Sequence, residues 1–232
     1  MTAPPPGHIL AIDTASDAVS LAIELDGDLI ARHHWQVETT VSRELLGQLH
    51  QFLDRAGVAR ESFAAIAICV GPGGYGGLRA GIATAQGMAL ALDVPLAAIS
   101  RLEADAWPHL QTAQIARPVV AVHNAGRAGV AWAAYACPAD RSAPIPLAEP
   151  SITTIEQCAE LAPAGAIWSG ELIPELLAIR RDHNREDDET GDSIDTTRAI
   201  SMLDLARVHQ AYEDPAAADA VYLRPPHITR PN

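Results

Sequence analysis

Ile66-Ala-Ile-Cys-Val70 leads into Gly71-Pro-Gly-Gly-Tyr-Gly-Gly-Leu-Arg79, which continues unbroken into Ala80-Gly-Ile-Ala-Thr-Ala-Gln-Gly-Met-Ala-Leu-Ala-Leu92. The apolar run reads as a buried strand, the glycine cluster as a tight turn, and the remainder as a helix of mostly small residues. A glycine turn before a helix can surround an anion with N–H groups. A helix faced with glycine and alanine can instead let another element pack very close. A Walker loop needs Gly-Lys followed by Ser or Thr, and no lysine stands here. Gly71, Gly73 and Gly76 keep the G-x-G-x-x-G spacing. The acidic residue that fingerprint wants about 20 positions on would be Asp93, at a helix end before Val94-Pro95 rather than at the tip of a second strand. Close packing fits the stretch better.

Gly77, Gly81, Ala85 and Met88 lie along one line of this helix, and Leu78, Ile82, Ala89 and Leu92 along another. A helix apolar nearly all round is either fully internal or shared with a partner. Gly77-x-x-x-Gly81 has the spacing of membrane helix contacts, but the run is too short and too polar to span a bilayer.

The chain has 232 residues, enough for a real core and one or two domains. Hydrophobic content of 48% with 19% charged residues fits a globular protein, and the net charge of −13 argues against unaided nucleic-acid binding. Cys69, Cys137 and Cys158 lack metal spacing and sit in apolar surroundings, as buried thiols in a reducing compartment would. Met1 to Gly7 carries neither a charged nor an apolar signal region, so a cytoplasmic location is expected, with no membrane contact.

Residues 9–13, 19–25 and 29–34 read as an antiparallel meander turned at Asp26-Gly27. Ser42 is placed to cap a helix carrying Leu45, Leu46, Leu49, Phe52, Leu53 and Ala56, ended by Gly57. With the strand before the glycine loop, the small-residue helix and a strand at 97–100, the first hundred residues read β-β-β-α-β-α-β. The second half partly repeats this plan: strands at 118–123 and 130–136, a helix at 154–161, a strand at 166–168, helices at 171–179 and 201–212, and a closing strand at 220–224. Asp182 to Asp195, crowded with acidic residues, reads as a solvated loop.

The opening Ile9-Leu-Ala-Ile-Asp-Thr14, the loop Gly71 to Arg79 with its Ala-Gln-Gly-Met-Ala helix, and the closing Val221-Tyr-Leu-Arg224 resemble the TsaB family. That family is the non-catalytic dimerisation subunit of the bacterial complex that makes threonylcarbamoyladenosine in tRNA. The resemblance spans the chain and is strongest over residues 8–100. It implies an α/β, actin-like (ribonuclease H-like) fold with two related β-rich subdomains and mixed sheets flanked by helices. The subdomains would be 1–102 and 103–232, with 213–232 packing back on the first. It further implies pairing with a larger catalytic actin-like subunit of TsaD type, a small ATPase of TsaE type in the same assembly, tRNA contact only through that complex, and a homodimer when the partner is missing. The family's dimer face maps here onto the helices 42–56 and 77–92. Leu45, Leu49, Phe52, Gly74, Tyr75, Gly77, Leu78, Gly81, Ile82, Ala85 and Met88 are the interface residues expected. Two places depart from the family: Gly74-Tyr75-Gly76 replaces Ser-Phe-Thr in the loop, and Asn124-Ala125-Gly126 replaces a turn with charged residues.

No catalytic, cofactor-binding or metal-ligating residue is expected. The catalytic relatives bind metal through two histidines four apart on a helix. The nine histidines here include no pair at i, i+3 or i, i+4, and His33-His34 point to opposite faces of a strand. Asp13 is followed by Thr14-Ala15-Ser16, where nucleotide-binding relatives want a glycine two residues on, so Asp13 reads as a turn cap. No Gly-x-Ser-x-Gly elbow occurs. The competing expectation is a stand-alone actin-like enzyme, a kinase or a metallopeptidase-like hydrolase.

Overall fold

The computed structural model describes residues 6–112, 117–138, 142–182, 189–190 and 198–223. In chain order the elements are β1 (His8–Asp13), β2 (Ala18–Leu25), β3 (Asp28–Gln36), α1 (Val41–Ala56), β4 (Phe63–Gly71), α2 (Tyr75–Leu92), β5 (Leu96–Ser100) and α3 (Arg101–Thr112). There follow β6 (Val119–Asn124), β7 (Val130–Ala136), β8 (Ile145–Thr153), α4 (Ile155–Leu161), β9 (Ile167–Gly170), α5 (Pro174–Asp182), β10 (Glu189–Thr190), α6 (Arg198–His209) and β11 (Tyr212–Glu213).

One sheet has the order β11-β5-β4-β1-β2-β3, the other β10-β9-β6-β7-β8. In both, three antiparallel strands are extended by parallel neighbours of the first: β1 pairs parallel to β4 as β6 does to β9. This duplicated order is the two-fold repeat of an actin-like α/β fold. β11 adds one antiparallel edge strand beside β5.

Helices and sheets stack in five layers. The alternation Ile66-Ala-Ile-Cys-Val70 shows how: Ile66, Ile68 and Val70 join the core under α1 and α2, while Ala65, Ala67 and Cys69 face α6. Strand residues point to opposite faces in turn, so one face is bulky and the other small. The small face lets Met202, Leu203 and Ala206 of α6 come down onto the sheet. In the second sheet, Val120, Val122 and Trp132 pack under α4 and α5, while Val119, Ala121 and Tyr135 meet Leu102, Ala106 and Leu110 of α3. Thus α3 and α6 pack together between the sheets, each on the sheet opposite the strand it follows. Residue 102 stands in the first turn of α3, and Val221 N–H donates to Val70 O at 2.8 Å.

Some local expectations are corrected. Thr40, not Ser42, stands at the N-cap of α1, and its side chain makes no cap bond. Instead Glu44 Oε1 reaches back to accept from the N–H groups of Glu38 and Thr39. Cys69 and Cys158 are buried, but Cys137 is only half-buried. Residues 220–223 form no strand, and Arg224 lies outside the described residues. The helix expected at 201–212 runs instead from Arg198 to His209, which leaves Tyr212 to the edge strand. The acidic stretch 182–195 also lies outside them, apart from Asp182 and the short β10. Among the described residues no helix is long and apolar enough to cross a membrane.

Candidate docking face and inter-sheet cleft

The glycine loop is a packing device for this chain's own backbone. Gly74 N–H donates to Ala15 O at 3.1 Å, so the turn after β1 occupies the place where an anion would meet that donor. A Cβ on Gly73 would overlap Ala15 O, one on Gly77 would stand 2.5 Å from Thr14 O, and one on Gly81 would overlap the Thr14 hydroxyl. Only glycine permits this approach. Asp13 Oδ1 closes the same turn by accepting from Ala15 N–H at 3.0 Å, as its capping role requires.

This geometry relocates most of the interface residues expected from sequence. Leu45, Leu49, Phe52, Leu78, Gly81, Ile82 and Ala85 are buried in the chain's own core, and Gly77 is half-buried against Thr14. Their inward position follows from α1 and α2 lying side by side on the bulky face of the first sheet. Gly74 and Tyr75 are exposed, and Met88 is half-buried on a groove of about 300 Å³ shared with Leu46, Leu49, His50, Leu53 and Arg60.

The outward surface of the same two helices is built by other residues than the interface residues expected from sequence. On α1 it carries Leu46, 63% exposed, with Gly47 and His50; on α2 it carries Gly76, Ala83, Gly87 and Leu90, also 63% exposed. A Cβ on Gly47, Gly76 or Gly87 would meet nothing within 4 Å. Glycine in a helix interior costs about 1 kcal/mol relative to alanine. This chain's own packing gives no reason for Gly47 or Gly87. A smooth, apolar face open to a close neighbour gives one. The signal was present as a second small-residue line, Gly76-Ala83-Gly87, seven and four residues apart.

Between the sheets runs a ladder of buried charges. Arg198 Nη1 donates to Asp13 Oδ2 at 2.7 Å and Arg198 Nε to Asp105 Oδ1 at 2.6 Å. Arg101 Nε lies 3.5 Å from Asp105 Oδ2, and Arg101 Nη2 donates to Glu171 Oε1 at 2.5 Å. Glu171 Oε2 meets His123 Nδ1 at 2.8 Å and accepts from Asn124 N–H at 3.0 Å. Arg101 Nη1 also reaches Ala15 O at 3.3 Å, tying the start of α3 to the turn after β1.

Asp13, Arg101, Asp105 and Arg198 have no exposed surface. Burial works against the Arg198 charge, but Asp105 and Asp13 outweigh it and raise its pKa. Burial would likewise raise the Glu171 carboxyl, yet the His123 hydrogen bond and the Arg101 and His123 charges hold it well below the usual carboxylate range. These groups pair mainly with one another, although Asp105 Oδ2 accepts no hydrogen bond and burial raises the Asp105 carboxyl against the Arg198 and Arg101 charges. His123 also lines an adjoining cavity of about 250 Å³ with Pro72, Gly73, Tyr222 and Leu223. Among the described residues no group of His, Cys, Asp and Glu could hold a metal ion. His50 is exposed, 3.5 Å from Asp54.

Comparison with known proteins narrows the reading of this geometry. The family model of tRNA N6-adenosine threonylcarbamoyltransferase, TsaD, matches residues 28–162. The tRNA threonylcarbamoyladenosine biosynthesis protein TsaB of Escherichia coli K12 is 33% identical over 128 residues, 55% of this chain and 54% of that protein. TsaB of Bacillus subtilis 168 is 32% identical over 95 residues, 41% of this chain and 42% of that one. The chain therefore spans about half the length of these curated relatives. A crystal structure of a protein from Pseudomonas aeruginosa with similarity to peptidase YeaZ superposes with a TM-score of 0.72 at 25% identity, covering 94% of this chain and 100% of that one.

Proposed function

Because the chain belongs to the tRNA N6-adenosine threonylcarbamoyltransferase family, on its TsaB branch, we propose that it serves tRNA threonylcarbamoyladenosine biosynthesis as a non-catalytic scaffold. Its outward α1–α2 face docks a catalytic actin-like subunit of TsaD type, which carries the chemistry of transfer to the adenosine beside the anticodon. A TsaE-type ATPase joins the assembly, and tRNA is held through the complex. Without the catalytic subunit the same face pairs two copies of this chain. The halves 1–102 and 103–232 act as one body, clamped by the ion-pair ladder.

The observation that carries this proposal is the pair of helix-interior glycines, Gly47 and Gly87, open to solvent beside exposed Leu46 and Leu90. Exposed apolar surface beside side-chain-free backbone fits close helix-to-helix contact with another chain. The filled cleft adds support, since Arg198 and Arg101 already neutralise the carboxylates that would otherwise organise a ligand there.

Reconstitution tests the proposal. The chain is mixed with its organism's TsaD-type subunit and assayed for threonylcarbamoyl transfer to tRNA, with complex size read by light scattering. A stable hetero-complex, and transfer that depends on this chain, are expected. Turnover of a substrate by the isolated chain, or transfer that proceeds equally well without it, would refute it.

A further inference from the structure

We propose that Arg79, placed over the Tyr75 ring and hydrogen-bonded to Tyr222, is the polar anchor of the docking face and receives a carboxylate from the protein seated there. This rests on the scaffold function proposed above and adds the chemistry of the contact. Arg79 is the single charged side chain in the eighteen residues of α2. Its guanidinium carbon lies 4.7 Å from the Tyr75 ring centroid and 5.9 Å from that of Tyr222. The two rings, far apart in sequence, stack at 5.8 Å with an interplanar angle of 29°. Arg79 Nε donates to Tyr222 Oη at 3.0 Å.

That arrangement fixes the guanidinium in the free chain. Nε is committed to Tyr222, while the two Nη groups meet no partner among the described residues. The Tyr222 hydrogen bond is the main influence favouring the cation, and the Asp219 charge adds the smallest share. A planar fork with outward N–H groups suits two parallel hydrogen bonds to one carboxylate. Ordering has been done before the partner arrives, so less conformational freedom is lost on docking.

All three side chains are exposed, Tyr75 at 58% and Tyr222 at 39%. Tyrosine and arginine are the residue types that dominate binding energy at protein interfaces. Tyr75 and Arg79 stand in the first two turns of α2, on the helix that carries Gly76, Ala83, Gly87 and Leu90, so the cluster is continuous with the apolar face. A nucleic-acid backbone is the weaker fit. Phosphate binding draws on several cations together. This chain has 16 Lys and Arg against 29 Asp and Glu, and α2 supplies no second cation.

The test measures the dissociation constant of the complex with the TsaD-type subunit for the wild type and for Arg79→Met, Arg79→Lys, Tyr222→Phe and Gly87→Trp. Circular dichroism and melting temperature confirm that each variant is folded. Arg79→Met is expected to weaken binding about 30-fold or more, the scale of an interface hot spot. Arg79→Lys should not restore it, since an ammonium cannot make the fork. Wild-type binding should weaken with salt more steeply than that of Arg79→Met. If Arg79→Met binds like the wild type while Gly87→Trp does not, the anchor is overturned and the face stands. If both bind like the wild type, the docking face itself falls. If Arg79→Met instead lowers tRNA binding by the isolated chain and leaves the protein complex unchanged, the fork takes phosphate and the proposal is overturned.

Discussion

Gly81 sits so close to Thr14 that a Cβ on it would overlap the threonine hydroxyl, with the Thr14 Cγ2 and Cβ at 3.0 and 3.1 Å. The small-residue line through Gly77, Gly81 and Ala85 is thus the seam between α2 and the turn after β1, inside one molecule. Gly81→Ala is expected to destabilise the isolated chain by about 1–3 kcal/mol, the usual cost of overpacking. Thr14→Ala removes the hydroxyl and should recover part of the loss in the double variant. Urea unfolding of the four proteins checks this. Equal stability of Gly81→Ala and wild type would contradict the contact.

Gly87 makes the opposite prediction on the same helix. Its Cβ position is open, and alanine is the better helix former. Gly87→Ala should raise the stability of the isolated chain by up to about 1 kcal/mol. If the outward face docks a partner closely, larger residues there should weaken the complex without harming the fold. Gly87→Trp with an unchanged melting temperature and a weakened complex is the expected outcome.

Much of the first half was legible because its elements bury one face each. α1 shows its helical stripe and ends at Gly57 in the left-handed conformation, and the strands alternate large and small residues. α3 was not legible. It starts on the residue after β5, carries Pro108 inside it, and hides Arg101 and Asp105, which look like surface residues. β8 was missed for a related reason: Pro146 and Pro150 interrupt it, which an edge strand tolerates. On α2 both lines of small residues satisfy the same periodicity, and only the position of Thr14 decides which faces inward. The charge ladder joins residues 13, 105 and 198, a pairing no local pattern announces.

Arg198 bridges Asp13 of the first sheet to Asp105 of α3, with all three side chains fully buried. Removing one member of a buried ion pair leaves the others as uncompensated charges. Arg198→Met is expected to cost about 3–5 kcal/mol or more. The loss should exceed that of Arg79→Met, which uncovers no buried charge. Chemical denaturation of both variants gives the comparison, and equal losses would mean the ladder is not what clamps α6 to α3.

Glu171 gives the clamp a pH dependence of known sign. Its native carboxyl is held below the unfolded value, despite burial, by His123 and Arg101. A depressed carboxylate contributes stability that is fully present above the unfolded pKa, about 4.3, and is lost as pH falls toward the native pKa. His209 carries the opposite sign: its hydrogen bond to Glu103 raises its pKa against the effect of burial. Its contribution is full below about pH 6.5 and is lost as pH rises through the native value. Glu171→Gln should therefore cost stability near neutral pH, with the gap to wild type narrowing steadily below about pH 4. His209→Gln should lose against wild type at about pH 6 and lose less at about pH 9. Urea unfolding across this range reads both. A Glu171→Gln gap unchanged from neutral to acid pH would mean that its carboxylate charge does not hold the second half to Arg101.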